Sequence, residues 1–188
     1  MKRTCYLIII LFSSLFFFSL SHASESLTLN NTPTQVCFSP KGDCTELIVQ
    51  EINNAKSEVL TQAYSFTSDK IAKAMVNAHK RGVRVEIILD KSNRTVKYSA
   101  GDFTAHMGVI TYYDTSHAIA HNKVMIIDKE IVITGSFNFT KAAEEKNAEN
   151  VLIIRSKELA RLYMENWAKH KEHSEAYQGR LASYTKAA

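Results

Sequence analysis

The chain lacks internal repeats, low-complexity tracts and an interior linker, which leaves a single continuous domain and excludes fibrous or disordered classes. Beyond its first 20 residues it has no apolar run long enough to cross a bilayer. Charge of one sign is scarce. The formal net charge is +4, and without Lys2 and Arg3, which belong to an N-terminal leader, the 23 basic residues become 21 against 19 acidic ones, or +2. That excess is too slight to hold nucleic acid by bulk charge, so any polyanion must meet a local patch. Cysteine is scarce as well, with three in 188 residues. The histidines are scattered and none pairs with a cysteine at zinc-ligand spacing, so neither a metal site nor a cofactor is expected.

With 45% hydrophobic residues the chain can build a real core. Residues 1–23 have the anatomy of a secretory signal peptide: Lys2 and Arg3, an apolar stretch over 6–20, then Ser21-His22-Ala23 with small residues at the −3 and −1 positions. Cleavage after Ala23 is expected, leaving a domain over 24–188 in the periplasm or outside the cell. The rival reading is an uncleaved anchor, which favours a longer apolar span of about 20 residues. In an exported chain, Cys37 and Cys44 enclose a turn-rich segment and are expected to form one small disulfide loop, two free thiols being the alternative.

Strand and helix signals alternate along this domain. Strands are expected over 35–38, 58–64 and 83–89, and helices over 45–55 and 69–81, the second with Ser68 as N-cap and Gly82 as stop. Such a series marks an α/β layered domain. A polar, basic loop over 90–98 follows, where open α/β sheets place binding loops, so Lys91, Arg94 and Lys97 are candidate substrate contacts. A helix over 98–107 and a strand over 109–112 come next, then a loop whose Tyr113, Asp114 and His117 are expected at the site entrance. Toward the C-terminus the pattern predicts a short helix or loop over 139–146, a strand over 150–154 and a helix over 157–173 capped by Ser156. The polar tail from Ser174 is expected to fray.

The chemistry concentrates between His121 and Asn138, in HNKVMIIDKEIVITGSFN. His121 and Lys123 stand two apart at the start of an apolar strand, so both side chains project from one face. Asp128 begins a polar turn, a second strand covers 131–134, and Gly135 ends it. Ser136 and Asn138 follow, where hydroxyl, amide and backbone N–H groups can converge on an anion. A phosphodiester resists nucleophiles, so its oxygens must be neutralised and its leaving alkoxide protonated. His121 suits the nucleophile, Lys123 a phosphate oxygen, and Ser136 and Asn138 neutral donation. Asp128 lies four strand residues beyond Lys123 and is expected to make a structural hydrogen bond at the turn.

As it stands, H-x-K-x-x-x-x-D-x-x-x-x-x-x-G-S-x-N resembles the signature of the phospholipase D superfamily, and the chain is similar to its short, exported, single-signature bacterial nucleases. The resemblance implies a mixed, mostly parallel β-sheet with helices on both faces, and a covalent phosphohistidine intermediate formed and hydrolysed without metal. It implies two signatures per active site. This chain has one, so a homodimer is expected in which one His121 attacks and the partner's His121 acts as general acid and then base. Family members carry an acidic residue downstream that orients the imidazole, which makes Glu149 the candidate, with Glu144 and Glu145 as competitors. The function so implied is a nuclease cutting DNA with little sequence preference, the choice between DNA and RNA left open, with Lys91, Arg94, Lys97 and Lys141 on backbone phosphates. A phospholipid hydrolase or transferase is the alternative. No stable membrane association is expected once the leader is gone.

Overall fold

The computed structural model describes residues 24–95 and 99–177; the expected leader over 1–23 and Lys97 lie outside the described residues. The elements run β1 (Thr34–Ser39), α1 (Cys44–Asn54), β2 (Glu58–Ala63), α2 (Asp69–Lys80), β3 (Arg84–Asp90), a 3-10 turn (Lys91–Arg94), α3 (Ala100–His106), β4 (Ile110–Asp114), β5 (Lys123–Ile127), β6 (Ile131–Gly135), α4 (Lys141–Glu145), β7 (Glu149–Arg155), α5 (Lys157–Glu172) and β8 (Ser174–Tyr177). Ser68 and Ser156 cap α2 and α5 as expected, accepting from Ile71 N–H (3.4 Å) and Leu159 N–H (3.2 Å).

The eight strands among the described residues form one sheet in the order β1-β7-β6-β5-β2-β3-β4-β8. Helices pack on both of its faces. The larger core lies under α1 and α2, with Ile48, Ile52, Ile71 and Met75 fully buried. The opposite face carries α5, whose Ala160 and Trp167 close over Leu60, Ile88, Val124, Ile126 and Val132. Trp167 also donates its indole N–H to the Thr61 carbonyl (3.1 Å), so the helix is fixed in register as well as buried.

The mostly parallel sheet is corrected. Only β2-β3 and β3-β4 run parallel, and the other five pairings are antiparallel. Crossover helices serve only the first half. From β5 onward each strand pairs antiparallel with its neighbours, and the tight turn through Asp128 and Lys129, both at positive φ, makes β5-β6 a hairpin. The tail from Ser174 does not fray at once either, since β8 adds to the edge of β4. Cys37 and Cys44 are joined in a disulfide that ties β1 to the start of α1, with a Cα separation of 5.6 Å. No helix among the described residues is long and apolar enough to cross a membrane.

Candidate active site

The sheet register gathers the signature at one edge. Lys123 opens β5 opposite Ala63 at the end of β2, while Gly135 ends β6 opposite Val151 near the start of β7. That edge also collects the C-terminal ends of β3 and β4, where Asp90 and Asp114 face each other. It is the end at which open sheets place ligand sites.

His121 lies two residues before the first residue of β5 and is exposed, whereas Lys123 is 8% exposed. They meet through the Lys123 ammonium, which donates to the His121 carbonyl (2.9 Å). Tyr64 backs both groups: its ring centroid lies 4.5 Å from that of His121 and 5.0 Å from Lys123 Nζ. The Tyr64 N–H donates to Asn122 (2.9 Å), which binds the end of β2 to the His121 segment. Burial pushes the Lys123 ammonium below its ordinary range, and the charge of Glu149 partly restores it. The result is a desolvated cation beside an accessible imidazole, an arrangement that strengthens any contact with a phosphate oxygen.

Ser136 and Asn138 reach this edge by strand alternation. Phe137 and Phe139 are 1% and 2% exposed and point into the core, so Ser136 and Asn138 turn the other way. The Phe139 carbonyl accepts from Thr67 N–H (3.0 Å) and Ser68 N–H (2.9 Å), fixing the segment against the loop after β2. Asn138 Oδ1 is buried and has no hydrogen-bond partner among the described residues, so its oxygen is not committed to a structural bond, and it is Nδ2 that can donate to an anion. Ser136 Oγ accepts from the backbone and side-chain N–H groups of Asn150 (3.1 and 3.3 Å). Gly135 sits at φ 152°, and a Cβ there would stand 2.2 Å from the Asn150 carbonyl, so only glycine lets β6 pass this close to β7.

Other expected residues occupy different places. Asp128 lies at the opposite edge of the sheet, about 16 Å of strand from Lys123. There it accepts from the N–H groups of Lys56 (2.8 Å), Ser57 (2.7 Å) and Glu58 (3.0 Å) and from the Ser57 hydroxyl (2.8 Å), pinning the start of β2. Glu149 stands on the site edge but accepts from Asn147 Nδ2 (3.1 Å), and among the described residues the His121 ring makes no hydrogen bond. Its competitors are engaged elsewhere, Glu144 with Thr45 N–H (2.7 Å) and Glu145 with Lys141 (3.5 Å). Lys91 donates to the His117 carbonyl (2.8 Å), and Arg94 pairs with Glu175 and lies 5.0 Å over the Tyr113 ring. Tyr113 and Asp114 do not line an entrance, because they are 1% and 0% exposed.

Two residues join the site that the pattern did not single out. Tyr64 is one, and its signal was its position at the C-terminal end of a buried strand. Asp90 is the other: its Oδ2 accepts from the Ala120 N–H (2.7 Å), so it holds the residue before His121.

The family model for the cardiolipin synthase, PLD-like domain matches residues 48–171. A phospholipase D of Rickettsia prowazekii (strain Madrid E) is 43% identical over 163 residues, covering 85% of this chain and 80% of that protein. The crystal structure of the phospholipase D family member Nuc from Salmonella typhimurium superposes with a TM-score of 0.76 at 40% identity, covering 79% of this chain and 99% of that one. NucT from Helicobacter pylori gives a TM-score of 0.72 at 25% identity, covering 78% and 99%. The signature at the sheet edge, the shared fold and these likenesses lead to one conclusion: the chain belongs to the phospholipase D superfamily and is an enzyme of phosphodiester bonds.

Proposed function

We propose that the protein is an exported endonuclease that hydrolyses DNA without a catalytic metal, through a phosphohistidine formed at an active site shared by two copies of the chain. The observation that carries this reading is an exposed His121 beside a buried Lys123, with one signature per chain. In the first step a neutral His121 nitrogen attacks phosphorus, the P–O ester bond breaks, and the leaving oxygen takes a proton from the imidazolium of the partner's His121. In the second, that now neutral imidazole removes a proton from water; the new hydroxide attacks phosphorus and the P–N bond breaks. Lys123 and Asn138 stabilise charge on the non-bridging oxygens throughout, and Ser136 completes the donor set. Glu149 sustains the Lys123 charge, as its field on that ammonium indicates.

Similarity to Nuc and NucT, each nearly spanned by this chain, supports nucleic acid as substrate. A second reading, phospholipid hydrolysis, is favoured by relatives named phospholipase D in Rickettsia. The deciding experiment incubates the purified protein in excess EDTA with plasmid DNA, single-stranded DNA and phosphatidylcholine vesicles. DNA cleavage with intact lipid is the expected result. Lipid hydrolysis with intact DNA would establish the second reading.

A further inference from the structure

Three histidines surround one fully buried carboxylate where β4, the loop toward His121 and the end of α5 meet. The Asp114 side chain is 0% exposed. Its Oδ1 accepts from the N–H groups of Ser116 (3.1 Å) and His117 (3.2 Å). Its Oδ2 faces the imidazoles, with His170 Nδ1 at 2.8 Å, His117 Nδ1 at 2.9 Å and His173 Nε2 at 3.4 Å, and His117 Nδ1 also lies 3.1 Å from Oδ1. One carboxylate oxygen offers about two lone-pair directions, so three imidazoles exceed what a structural hydrogen bond requires. Nor does the proposed mechanism use them, since the contacts of His121, Lys123 and Asn138 include none of the four.

We propose that Asp114, His117, His170 and His173 form a four-ligand site for a divalent transition-metal ion of the zinc class. The residues fall in two pairs of i,i+3 spacing, D-x-x-H from the end of β4 into the loop and H-x-x-H at the last turn of α5, where such neighbours share a helix face. The four donor atoms all lie within 4.8 Å of one another. A tetrahedral zinc ion with bonds of 2.0–2.1 Å needs donors about 3.3 Å apart, so the imidazoles close by at most about 1.5 Å. His117 and His173, 47% and 35% exposed, have the freedom to do so. Each imidazole binds as the neutral ring through its unprotonated nitrogen, the ring proton sitting on the other nitrogen, and Asp114 supplies Oδ2. Imidazole donors suit zinc, copper and nickel rather than magnesium or calcium.

Four protein ligands close the coordination sphere, so the ion is structural. It ties together β4, the loop leading to His121, α5 and β8. The backbone around it is braced: the His117 carbonyl accepts from Lys91 Nζ (2.8 Å) and the His170 carbonyl from Ser174 Oγ (2.6 Å).

The test titrates Zn²⁺ and Co²⁺ into the purified, chelator-stripped protein. The expected results are one ion per chain, a Co²⁺ visible spectrum of a four-coordinate site, and a Tm raised by about 5–10 °C at a hundredfold excess of Zn²⁺ over Kd. The His121→Ala variant should bind equally well, and His170→Gln/His173→Gln should lose the spectrum and the shift. Should that double variant fail to fold, His117→Ala, altered only in the loop, should weaken binding at least tenfold. A six-coordinate Co²⁺ spectrum with no Zn²⁺ effect on Tm overturns the proposal. So does unchanged binding in the histidine variants, or loss of binding in His121→Ala.

Discussion

Asp128→Asn separates a signature residue from the chemistry, because Asp128 stands at the sheet edge opposite His121. Asparagine tolerates the left-handed backbone that Asp128 adopts at φ 52°. Its carbonyl can replace Oδ1, keeping the bonds from Ser57 N–H, the Ser57 hydroxyl and Glu58 N–H. Its NH₂ group then meets the Lys56 N–H where Oδ2 had accepted, so one charge-assisted bond becomes a donor–donor contact. A lost partner of this kind costs about 1–3 kcal/mol, and the partial exposure of the turn lets water relieve some of it, giving about 2 kcal/mol. For a chain of this size that lowers Tm by about 4–8 °C.

The effect carries a pH signature. Burial raises the Asp128 carboxyl, but the N–H groups of Ser57, Glu58 and Lys56 and the Ser57 hydroxyl outweigh it and set the folded pKa below the ordinary value. A depressed carboxylate contributes stability that is complete above its unfolded pKa of about 3.9 and vanishes as pH falls through the folded one. The gap between wild type and Asp128→Asn should therefore be full at pH 7 and close in acid. Thermal unfolding by circular dichroism across pH, with turnover measured at 25 °C, checks both parts. A tenfold loss of turnover with unchanged Tm would refute the structural assignment of Asp128.

His121→Ala should reduce turnover by at least about a thousandfold, as expected for loss of a nucleophile and its acid partner, with Tm almost unmoved because the ring is exposed; steady-state cleavage and melting curves test it. Lys123→Met should lower kcat by about 10²–10³ and raise Tm by about 2–4 °C, since it removes a cation that burial disfavours. The destabilisation by that cation is full below the folded Lys123 pKa and fades as pH rises through the unfolded value, so the Tm difference should shrink in alkali. Cys37→Ser/Cys44→Ser opens a loop of sequence separation 7. It should lose about 2.5 kcal/mol on the chain-entropy estimate, read by urea unfolding, while cleavage at 25 °C persists.

The signature was legible because its spacing is local. H-x-K at a strand start and G-S-x-N after the next strand are set by alternation and one tight turn, and the hairpin brings them to the same edge. Helices α2 and α5 were equally readable from their serine caps and apolar stripes, and α1 from its apolar stripe alone. Strand direction was not, since nothing in residues 139–148 distinguishes a short antiparallel return from the start of a crossover. Strand β8 hides in the polar sequence Ser-Glu-Ala-Tyr, and its formation depends on the open edge of β4. The histidine cluster was invisible for a related reason: Asp114 and His170 are 56 positions apart, and only the packing of α5 beside β4 joins them.

The central claim is that His121 carries the phosphoryl group. Turnover of a synthetic oligonucleotide, quenched in denaturant under alkaline conditions and followed by peptide mass spectrometry, tests it most directly. The account predicts a phosphoramidate adduct on His121, at no more than one per two chains. An adduct on any other residue, or adducts on His121 in every chain, would contradict it.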